Sequence, residues 1–426
     1  MMRRTLPLGI ACSLAAGLSA TAADLSVESG PLRAVYREAT RSLGLYEPAS
    51  AAPFATVADF APVGSAVRAV RVKGTLFEKG EALEVALPDG TRTQVILAPG
   101  QPFAFFRTTL RNGSAQAVTN RVAYPALALD LGLPPDALST LGTGGLLKPD
   151  KCPGSYMWAA VADPATRRGV VAGWVSTSRG SGIVRLAVTN SAVTLLPHAD
   201  YGRLLLAPGQ TETLETFAVG LFGDARLGLE AYGDALAKNL DVHLPPMPTV
   251  HCTWYVDGAS RESVLTGRTD FAASALKPFG LNVIQIDDGW QLGQSKNGPK
   301  KVFIGHNPQG PYPSGMKATA DYIRKAGLTA GIWLIPFAGS SDDPWFADKT
   351  AWFAKKPDGS PYDTRWGGTC FDLTRADTQA YLKDVIRTLT HDWGYTYLKM
   401  DGLYTGASVN LNYVCDTFRE DRKSVV

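Results

Sequence analysis

Two short stretches decide how this sequence is interpreted: Ile-Asp-Asp-Gly-Trp at residues 286–290 and Tyr-Leu-Lys-Met-Asp at residues 397–401. In each, an apolar or aromatic run of the kind found in buried strands stops at carboxylates. The carboxyl ends of the strands form the active-site face of a parallel barrel. Clustered negative charge beside a core is costly, so we interpret these acids as functional rather than stabilising.

Strands and helices alternate around these stretches. Candidate strands cover residues 249–256, 281–287, 328–335 and 395–400, and candidate helices cover residues 262–277, 316–325 and 376–393. Gly280, Gly327 and Gly394 each precede a strand, as residues that end helices do, and Thr374 is a candidate cap for the last helix. Repeated strand–helix units predict a parallel sheet with right-handed crossovers. A barrel of this kind has eight strands, so four predict its first half.

The residues before this region follow a different pattern. Short alternating runs separated by turn signals recur over residues 24–221 and predict a β-sandwich. Residues 222–248 combine a predicted helix at 224–240 with a proline-rich linker. The predicted fold class is therefore multidomain, β and α/β: an N-terminal β-sandwich followed, over residues 249–420, by the first half of a (β/α)8 TIM barrel.

Both ends of the sequence carry segments that we interpret as lying outside the fold. Residues 1–23 have a basic start, an apolar stretch and small residues suited to cleavage, which predicts a secretory signal peptide and a secreted or periplasmic protein. Residues 421–426 can be encoded by the start of a widely used sequencing adapter. We interpret them as read-through, and we expect the natural gene to continue past Glu420.

Composition argues against several classes of protein. A formal net charge of +3 indicates neither nucleic-acid nor anionic-membrane binding. No segment after the leader has the run of about eighteen apolar residues that a membrane span requires. Four cysteines follow the leader, and their wide spacing argues against a zinc site: Cys152, Cys252, Cys370 and Cys415. Export would permit disulfides, but we favour free thiols.

Adjacent carboxylates at the end of the second candidate strand suit a sugar ligand. Ionised oxygens of Asp287 and Asp288 would accept short hydrogen bonds from hydroxyl groups. Gly289 allows a sharp turn there, and the indole of Trp290 can pack on the C–H face of a sugar. An acidic turn and a divalent-cation site are the alternatives for this pair, the cation site being the weaker because no further Asp or Asn spacing supports it.

The fourth candidate strand offers a nucleophile. Alternation puts Lys399 and Asp401 on the same side of the strand, where the lysine would keep the carboxylate ionised and ready to attack. A surface ion pair is the alternative interpretation. Trp254 and Trp333 are predicted at comparable strand ends, and together they suggest aromatic walls for a carbohydrate ring.

In this order and spacing, residues 286–291, 328–333, 371–373 and 397–401 resemble the melibiase-type retaining α-galactosidases, the clan of glycoside hydrolase families 27 and 36. Family 36 fits better, because its members also carry a large β-sandwich before the barrel. The resemblance implies that Asp401 is the nucleophile. It further implies substrate contacts for Asp287, Asp288, Lys399, Trp254, Trp333 and Arg365.

The same resemblance implies an α-galactoside oligosaccharide as substrate and no metal or cofactor. The acid/base aspartate of the family follows a later strand, so we expect it to be absent from this chain and the chain as it stands to be inactive. Three alternatives stay open: a transglycosylase, a hydrolase of another α-linked sugar, and a non-catalytic carbohydrate-binding protein.

Overall fold

The computed structural model describes residues 24–74, 77–120, 124–178, 180–189, 192–201, 204–257, 261–356 and 358–407. The predicted signal peptide, the predicted adapter-derived tail and Cys415 lie outside these residues. Within them, two sheets of antiparallel strands come first and a parallel sheet flanked by helices comes second. The predicted fold class, a β-sandwich followed by a partial α/β barrel, is confirmed.

The sandwich consists of two large antiparallel sheets. The strands of one sheet, in spatial order, are Leu25–Ser29, Leu32–Arg37, Ser42–Tyr46, Ala55–Val57, Leu127–Leu129, Val193–Asp200, Ser181–Val188 and Ser155–Tyr156. Those of the other are Gly145–Leu147, Ser139–Gly142, Trp158–Ala162, Gly169–Trp174, Phe217–Phe222, Ala104–Arg111, Arg92–Leu97, Phe77–Ala86 and Ala66–Gly74, with Thr211–Thr213 beside Ala104–Arg111. A further pair joins Val118–Asn120 to Leu204–Leu206.

The interior of the sandwich is filled by the inward-facing side chains of both sheets. Trp174 is fully buried, and its ring meets those of Tyr124 and Phe217 at 4.5 and 5.0 Å between centroids. Aromatic residues bury large apolar areas, so such a cluster contributes much of the stability of a β-sandwich core. Short 3-10 turns at Pro135–Ala137 and Pro149–Lys151 connect strands at its edge.

A helix at Ala225–Asn239 follows the sandwich, as predicted. Asp224 caps it, because its carboxylate accepts a hydrogen bond from the backbone N–H of Arg226. The phenol of Tyr232 donates to the carbonyl of Trp174 at 2.6 Å, which docks the helix on the sandwich. Residues 242–249 then run without regular secondary structure into the second region.

Four parallel strands form the second sheet, in the order Val250–Cys252, Val283–Ile286, Thr329–Leu334 and Tyr397–Met400. Sequential parallel order with intervening helices is the arrangement of half a (β/α)8 barrel. The helices are Glu262–Phe271, Met316–Lys325 and Ala376–Arg387. The first and last of them continue as π-helical turns at Ala272–Leu276 and Thr388–Asp392, and the first ends in a 3-10 turn at Lys277–Phe279.

Connections on the carboxyl side of this sheet contain short elements. Two small antiparallel strand pairs join Gln291–Leu292 to Val302–His306 and Ala338–Gly339 to Thr369–Cys370. The remaining turns are Trp254–Asp257, which is helical, and the 3-10 turns Pro344–Phe346, Thr350–Trp352, Arg365–Gly367 and Leu403–Ala407. These connections stand where a barrel builds its active site.

Three sequence predictions about local structure can be checked here. Gly280, Gly327 and Gly394 have φ of 100°, 76° and 85°, so the left-handed helix ends that they predicted are confirmed. The predicted cap Thr374 is wrong. Its hydroxyl donates to Asp372 at 2.6 Å, and Arg375 occupies the cap position without a side-chain bond.

The first predicted strand is too long. It ends at Cys252, and Trp254–Asp257 turns into a short helix. The thiols of Cys152 and Cys252 are free, as favoured from the sequence, and Cys370 is buried. Within the described ranges, no helix combines the length and the apolar character needed to cross a membrane.

Candidate active site

The strand register brings the predicted site residues to one rim of the parallel sheet. Ile286 pairs with Ile332, and Trp333 pairs with Lys399. Because paired residues of parallel strands point to the same side, Asp287, Trp333 and Lys399 follow one another along the carboxyl ends of three strands. The clustering expected from separate strand ends is therefore present.

Asp287 accepts hydrogen bonds from three neighbouring side chains at this rim. Its Oδ2 accepts hydrogen bonds from Lys399 Nζ at 2.7 Å, Gln285 Nε2 at 3.0 Å and the Cys252 thiol at 3.3 Å. Burial by itself would raise the pKa of Asp287, but the bonds from Lys399 and Gln285 outweigh it and lower the pKa. Burial likewise works to lower the pKa of Lys399, but the bond to Asp287 outweighs it and raises the pKa. The two groups form an ion pair at neutral pH.

Asp288 has a different environment from its neighbour. Burial raises its pKa, and a hydrogen bond from Gln291 Nε2 to Oδ1 at 2.6 Å offsets this only in part. The same Gln291 amide donates to the carbonyl of Lys300, and its Oε1 accepts from the N–H of Gly289. Gln291 therefore fixes the turn after the strand and orients the Asp288 carboxylate.

The carboxylate of Asp401 is held at both oxygens. Trp333 Nε1 donates to Oδ2 at 3.2 Å, and the N–H of Gly402 donates to Oδ1 at 2.8 Å. The backbone N–H of Asp401 continues the sheet by donating to Leu334. Each carboxylate oxygen can accept two hydrogen bonds, so the contacts among the described residues leave one position on each oxygen for a further partner or for attack.

The orientation and burial of the Trp333 side chain differ from what the sequence predicted. Its ring is 1% exposed and packs against Phe303, so it offers no open face to a sugar, contrary to the expected aromatic wall. Its carbonyl accepts from Trp290 Nε1 at 3.0 Å, and Trp290 is also buried. Both indoles are core residues, and Trp333 meets the site through its N–H edge.

Trp254 and Arg365 were also predicted to contact the substrate, and both are exposed. Trp254 lies in the helical turn beyond the first strand and not at its end, and it is 48% exposed. Its neighbour Tyr255 faces the site, with Lys399 Nζ 5.7 Å from the ring centroid. Arg365 is exposed at the start of a 3-10 turn. Among the described residues, its guanidinium makes no hydrogen bond to Asp287, Asp288, Lys399 or Asp401.

Several contributing residues were missed from the sequence. Gln285 and Thr253 both hydrogen-bond to Asp287. Gln285 Nε2 donates to the carboxylate at 3.0 Å, and Thr253 Oγ1 accepts from the backbone N–H at 3.0 Å. One signal was available: Gln285 is a polar residue inside an otherwise apolar strand, and a buried amide needs a partner. Gln291 directly follows the acidic motif and could have been included with it.

Lys301 is a buried cation close to this rim. It is 0% exposed, and its ammonium donates to the carbonyls of Pro299 at 2.6 Å and Asn297 at 3.4 Å. Its stem lies against Gly368, where an added Cβ would come within 2.4 Å of the lysine Cε. Burial lowers the pKa of Lys301 to about 8, and the charge of Asp288 offsets this only in part.

This lysine should give the protein a measurable pH dependence. Between about pH 8 and the ordinary lysine value of 10.5, the unfolded chain holds a proton that the folded protein has released. The free energy of unfolding therefore gains a contribution that rises with pH across that window. Relative to Lys301→Met, the wild type should gain about 2 kcal/mol between pH 8 and pH 10, measured by urea denaturation at both values.

The exposed neighbour Lys300 provides the matched control. Lys300→Met should leave the difference from wild type unchanged between the two pH values. A difference that stays flat for Lys301→Met, or that grows equally for both variants, would show that the Lys301 ammonium is not desolvated in the folded protein.

A metal site was one sequence alternative for the acidic pair. Within the described ranges, no three His, Cys, Asp or Glu side chains are grouped so that they could hold a metal ion. Asp287 is instead neutralised by Lys399, and Asp288 is bonded to an amide. The rim thus combines the carboxylate of Asp401 with the ion-paired Asp287 and with Asp288, whose pKa is raised by burial.

Comparisons with known proteins show what the chain is similar to. Residues 267–410 match the family model Melibiase. The A type blood α-D-galactosamine galactosaminidase of Flavonifractor plautii is 27% identical over 222 residues, which are 48% of this chain and 20% of that protein. The chain thus spans about a fifth of the length of this curated relative.

Two solved structures share the fold. The α-galactosidase of Lactobacillus brevis superposes with a TM-score of 0.60 at 13% identity, covering 88% of this chain and 63% of that one. A variant of the family 36 α-galactosidase AgaA of Geobacillus stearothermophilus, in complex with raffinose, gives 0.60 at 12% identity, covering 89% and 65%. At such identities the likeness establishes the fold alone. The resemblance of this chain to the melibiase-type α-galactosidases is therefore confirmed, in sequence over residues 267–410 and in fold over both domains.

Proposed function

We propose that this protein is a retaining glycoside hydrolase that releases terminal α-galactose from oligosaccharides or glycoconjugates. One observation carries the proposal: the carboxylate of Asp401, oriented by two N–H donors, stands two residues along the strand from Lys399, which is paired with Asp287. A fixed carboxylate beside a charged, hydrogen-bonding rim is the arrangement that a glycosidase needs at its nucleophile. The match to the melibiase family over residues 267–410 supports this assignment.

In the mechanism that we propose, Asp401 attacks the anomeric carbon and forms a covalent glycosyl-enzyme. The N–H groups of Trp333 and Gly402 fix the plane of the carboxylate, so little reorganisation precedes the attack. A second carboxyl group protonates the leaving oxygen and then takes a proton from water, which restores the starting configuration. We assign that acid and base role to a carboxyl group outside the four strand ends described here.

The polar rim would hold the sugar. Asp287 is ionised, and its Oδ1 accepts one hydrogen bond among the described contacts, from the Asp288 N–H, so it can accept one more. Lys399 would donate to ring hydroxyls, and Asp288 would accept from a neighbouring one. A hydroxyl that donates to Asp288 stabilises the ionised form, and this would lower the raised pKa of that group upon binding.

The substrate class rests on the relatives. The raffinose complex of the Geobacillus stearothermophilus enzyme, which shares this fold, supports an α-galactoside oligosaccharide as substrate. Raffinose carries a terminal α-galactose on a sucrose unit, so the reaction would release galactose and leave sucrose.

We also propose that the protein is exported. The support is the leader of residues 1–23, with its basic start, apolar stretch and small residues before the first described strand. Export would place the enzyme where it meets extracellular or periplasmic oligosaccharides.

The test is the stereochemistry of the first product. The full protein encoded at the natural locus should release α-galactose first from an aryl α-galactoside, followed by slow mutarotation, as seen by proton NMR of the anomeric signals. Release of β-galactose first would overturn the retaining mechanism. Binding of galactose without any release would favour a non-catalytic carbohydrate-binding protein, and transfer to an added acceptor sugar in preference to water would favour a transglycosylase.

A further inference from the structure

A loop on the carboxyl side of the sheet places an indole ring next to Asp401. The Trp366 ring atom Cζ3 lies 3.6 Å from the position that a Cβ would occupy on Gly402, the residue that follows Asp401. Unlike the core indoles Trp290 and Trp333, Trp366 is 43% exposed. It therefore presents an open aromatic surface close to the residue that follows the proposed nucleophile.

The backbone of this loop is held in one conformation. Both the N–H and the hydroxyl of Thr364 donate to the carbonyl of Gly368, at 2.9 and 2.8 Å, and the Gly368 N–H donates back to Arg365. Arg365 has a φ of 61°, which is uncommon for a residue with a side chain and costs energy. Asp363 supports this turn by accepting from the Arg365 N–H. Such strain persists only where surrounding contacts fix it, and it occurs preferentially at ligand-binding sites.

Two further segments, which contain Gly298 and Tyr404, contact this loop. A Cβ on Gly298 would come within 2.6 Å of the Trp366 carbonyl oxygen and 2.9 Å of its ring atom Cδ1, so one edge of the indole is packed against this glycine. On the other side, the phenol of Tyr404 hydrogen-bonds to Thr364 and Gly367, and burial raises its pKa. Because Tyr404 follows Asp401 by three residues, the loop and the nucleophile strand are directly connected.

We propose that Trp366 is the stacking platform for the leaving-group sugar of an α-galactoside. The proposal rests on the function proposed above. Of the groups assigned to galactose hydroxyls at the strand ends, Asp287 is buried and Lys399 is half-buried, whereas Trp366 lies in a loop and is 43% exposed. A leaving group must depart into solvent, so a rim residue with one packed edge and one open face suits it better than a pocket wall. The C–H face of a hexose packs well on an indole.

Binding measurements with two probes test this role. In the Asp401→Asn background, which stops turnover, calorimetric titration with galactose reports the galactose subsite alone, and titration with raffinose reports both. Trp366→Ala should weaken raffinose about tenfold and change galactose less than twofold, because only raffinose reaches the platform. Trp366→Tyr, which keeps an aromatic face, should hold the raffinose affinity within about threefold of the parent.

Phe279→Ala is the control. Phe279 is an exposed aromatic residue in the 3-10 turn that precedes the strand Val283–Ile286, whereas the site residues lie at the carboxyl ends of the strands. It should leave both affinities unchanged. Equal losses for the two probes, or no loss of raffinose affinity in Trp366→Ala, would overturn the proposal. If Trp366→Ala does not fold, Trp366→Leu replaces it: leucine keeps apolar bulk without an aromatic face, so raffinose must weaken in this variant and not in the tyrosine one. If the parent binds neither sugar, the proposed function itself fails.

Discussion

Asp401→Asn should reduce the hydrolysis of an aryl α-galactoside by the full protein by a factor of about 10⁴ or more. The amide keeps the shape of the carboxylate, and its oxygen can still accept from Trp333 or Gly402. It has no charge, however, and does not form a stable bond to the anomeric carbon. Loss of a nucleophile typically removes this much of the rate, because the alternative is direct attack by water. Steady-state kinetics at one pH measure the effect.

Trapping the intermediate separates a nucleophile from a merely supporting acid. A fluorinated galactosyl donor that slows hydrolysis of the glycosyl-enzyme should add its mass to the peptide containing Asp401, as seen by mass spectrometry after digestion. Asp358→Asn is the control, because Asp358 is an exposed acid whose carboxylate accepts from the Ser360 N–H within its own turn. A label on another carboxylate, or unchanged kinetics in Asp401→Asn, would show that the nucleophile lies elsewhere.

Asp287→Asn should lower the affinity for galactose about 100-fold and the free energy of unfolding by about 2 kcal/mol. The substitution removes the charge that pairs with Lys399 and leaves a half-buried ammonium without its counter-ion. Hydrogen bonds between charged groups contribute roughly 1.5–3 kcal/mol, and a buried partner left behind adds its own cost. Calorimetric titration and urea denaturation give the two quantities.

A double-mutant cycle with Lys399→Met identifies the origin of this effect. If the ion pair is responsible, the combined variant should lose much less stability than the sum of the two single changes, because either change alone already removes the interaction. Additive losses would mean that Asp287 and Lys399 act independently. Galactose affinity should remain low in the double variant, since the proposed hydroxyl ligands are then missing as well.

Much of the architecture could be predicted from local patterns. The helix Met316–Lys325 begins and ends where its amphipathic sequence predicted, and the strand-ending acids Asp287 and Asp401 do lie at the rim. Both results depend on residues close together in the sequence, where period and burial determine the outcome. Trp254 was misplaced because a short helix replaced the last residues of its strand, a local competition that hydrophobicity alone does not resolve.

The roles of Trp333 and Trp366 could not be predicted from the sequence either, but for a different reason. Whether Trp333 presents its face or its N–H edge depends on Phe303 and Asp401, which approach it from distant parts of the chain. Trp366 lies in a loop with no periodic pattern, and its position beside Gly402 depends on the contact with Gly298. Such contacts arise from tertiary packing, which a single sequence does not encode in its spacing.

The strand Tyr397–Met400 has one hydrogen-bonded neighbour within the described residues, the strand Thr329–Leu334. The two inner strands of the sheet have almost entirely buried side chains, whereas those of Tyr397–Met400 are half-buried or exposed. The strand Thr329–Leu334 and the residues at its end fix both parts of Asp401, since the Asp401 N–H donates to the carbonyl of Leu334 and Trp333 Nε1 donates to the carboxylate. A shift of that strand would therefore turn the nucleophile, even though the strand itself need not touch the sugar.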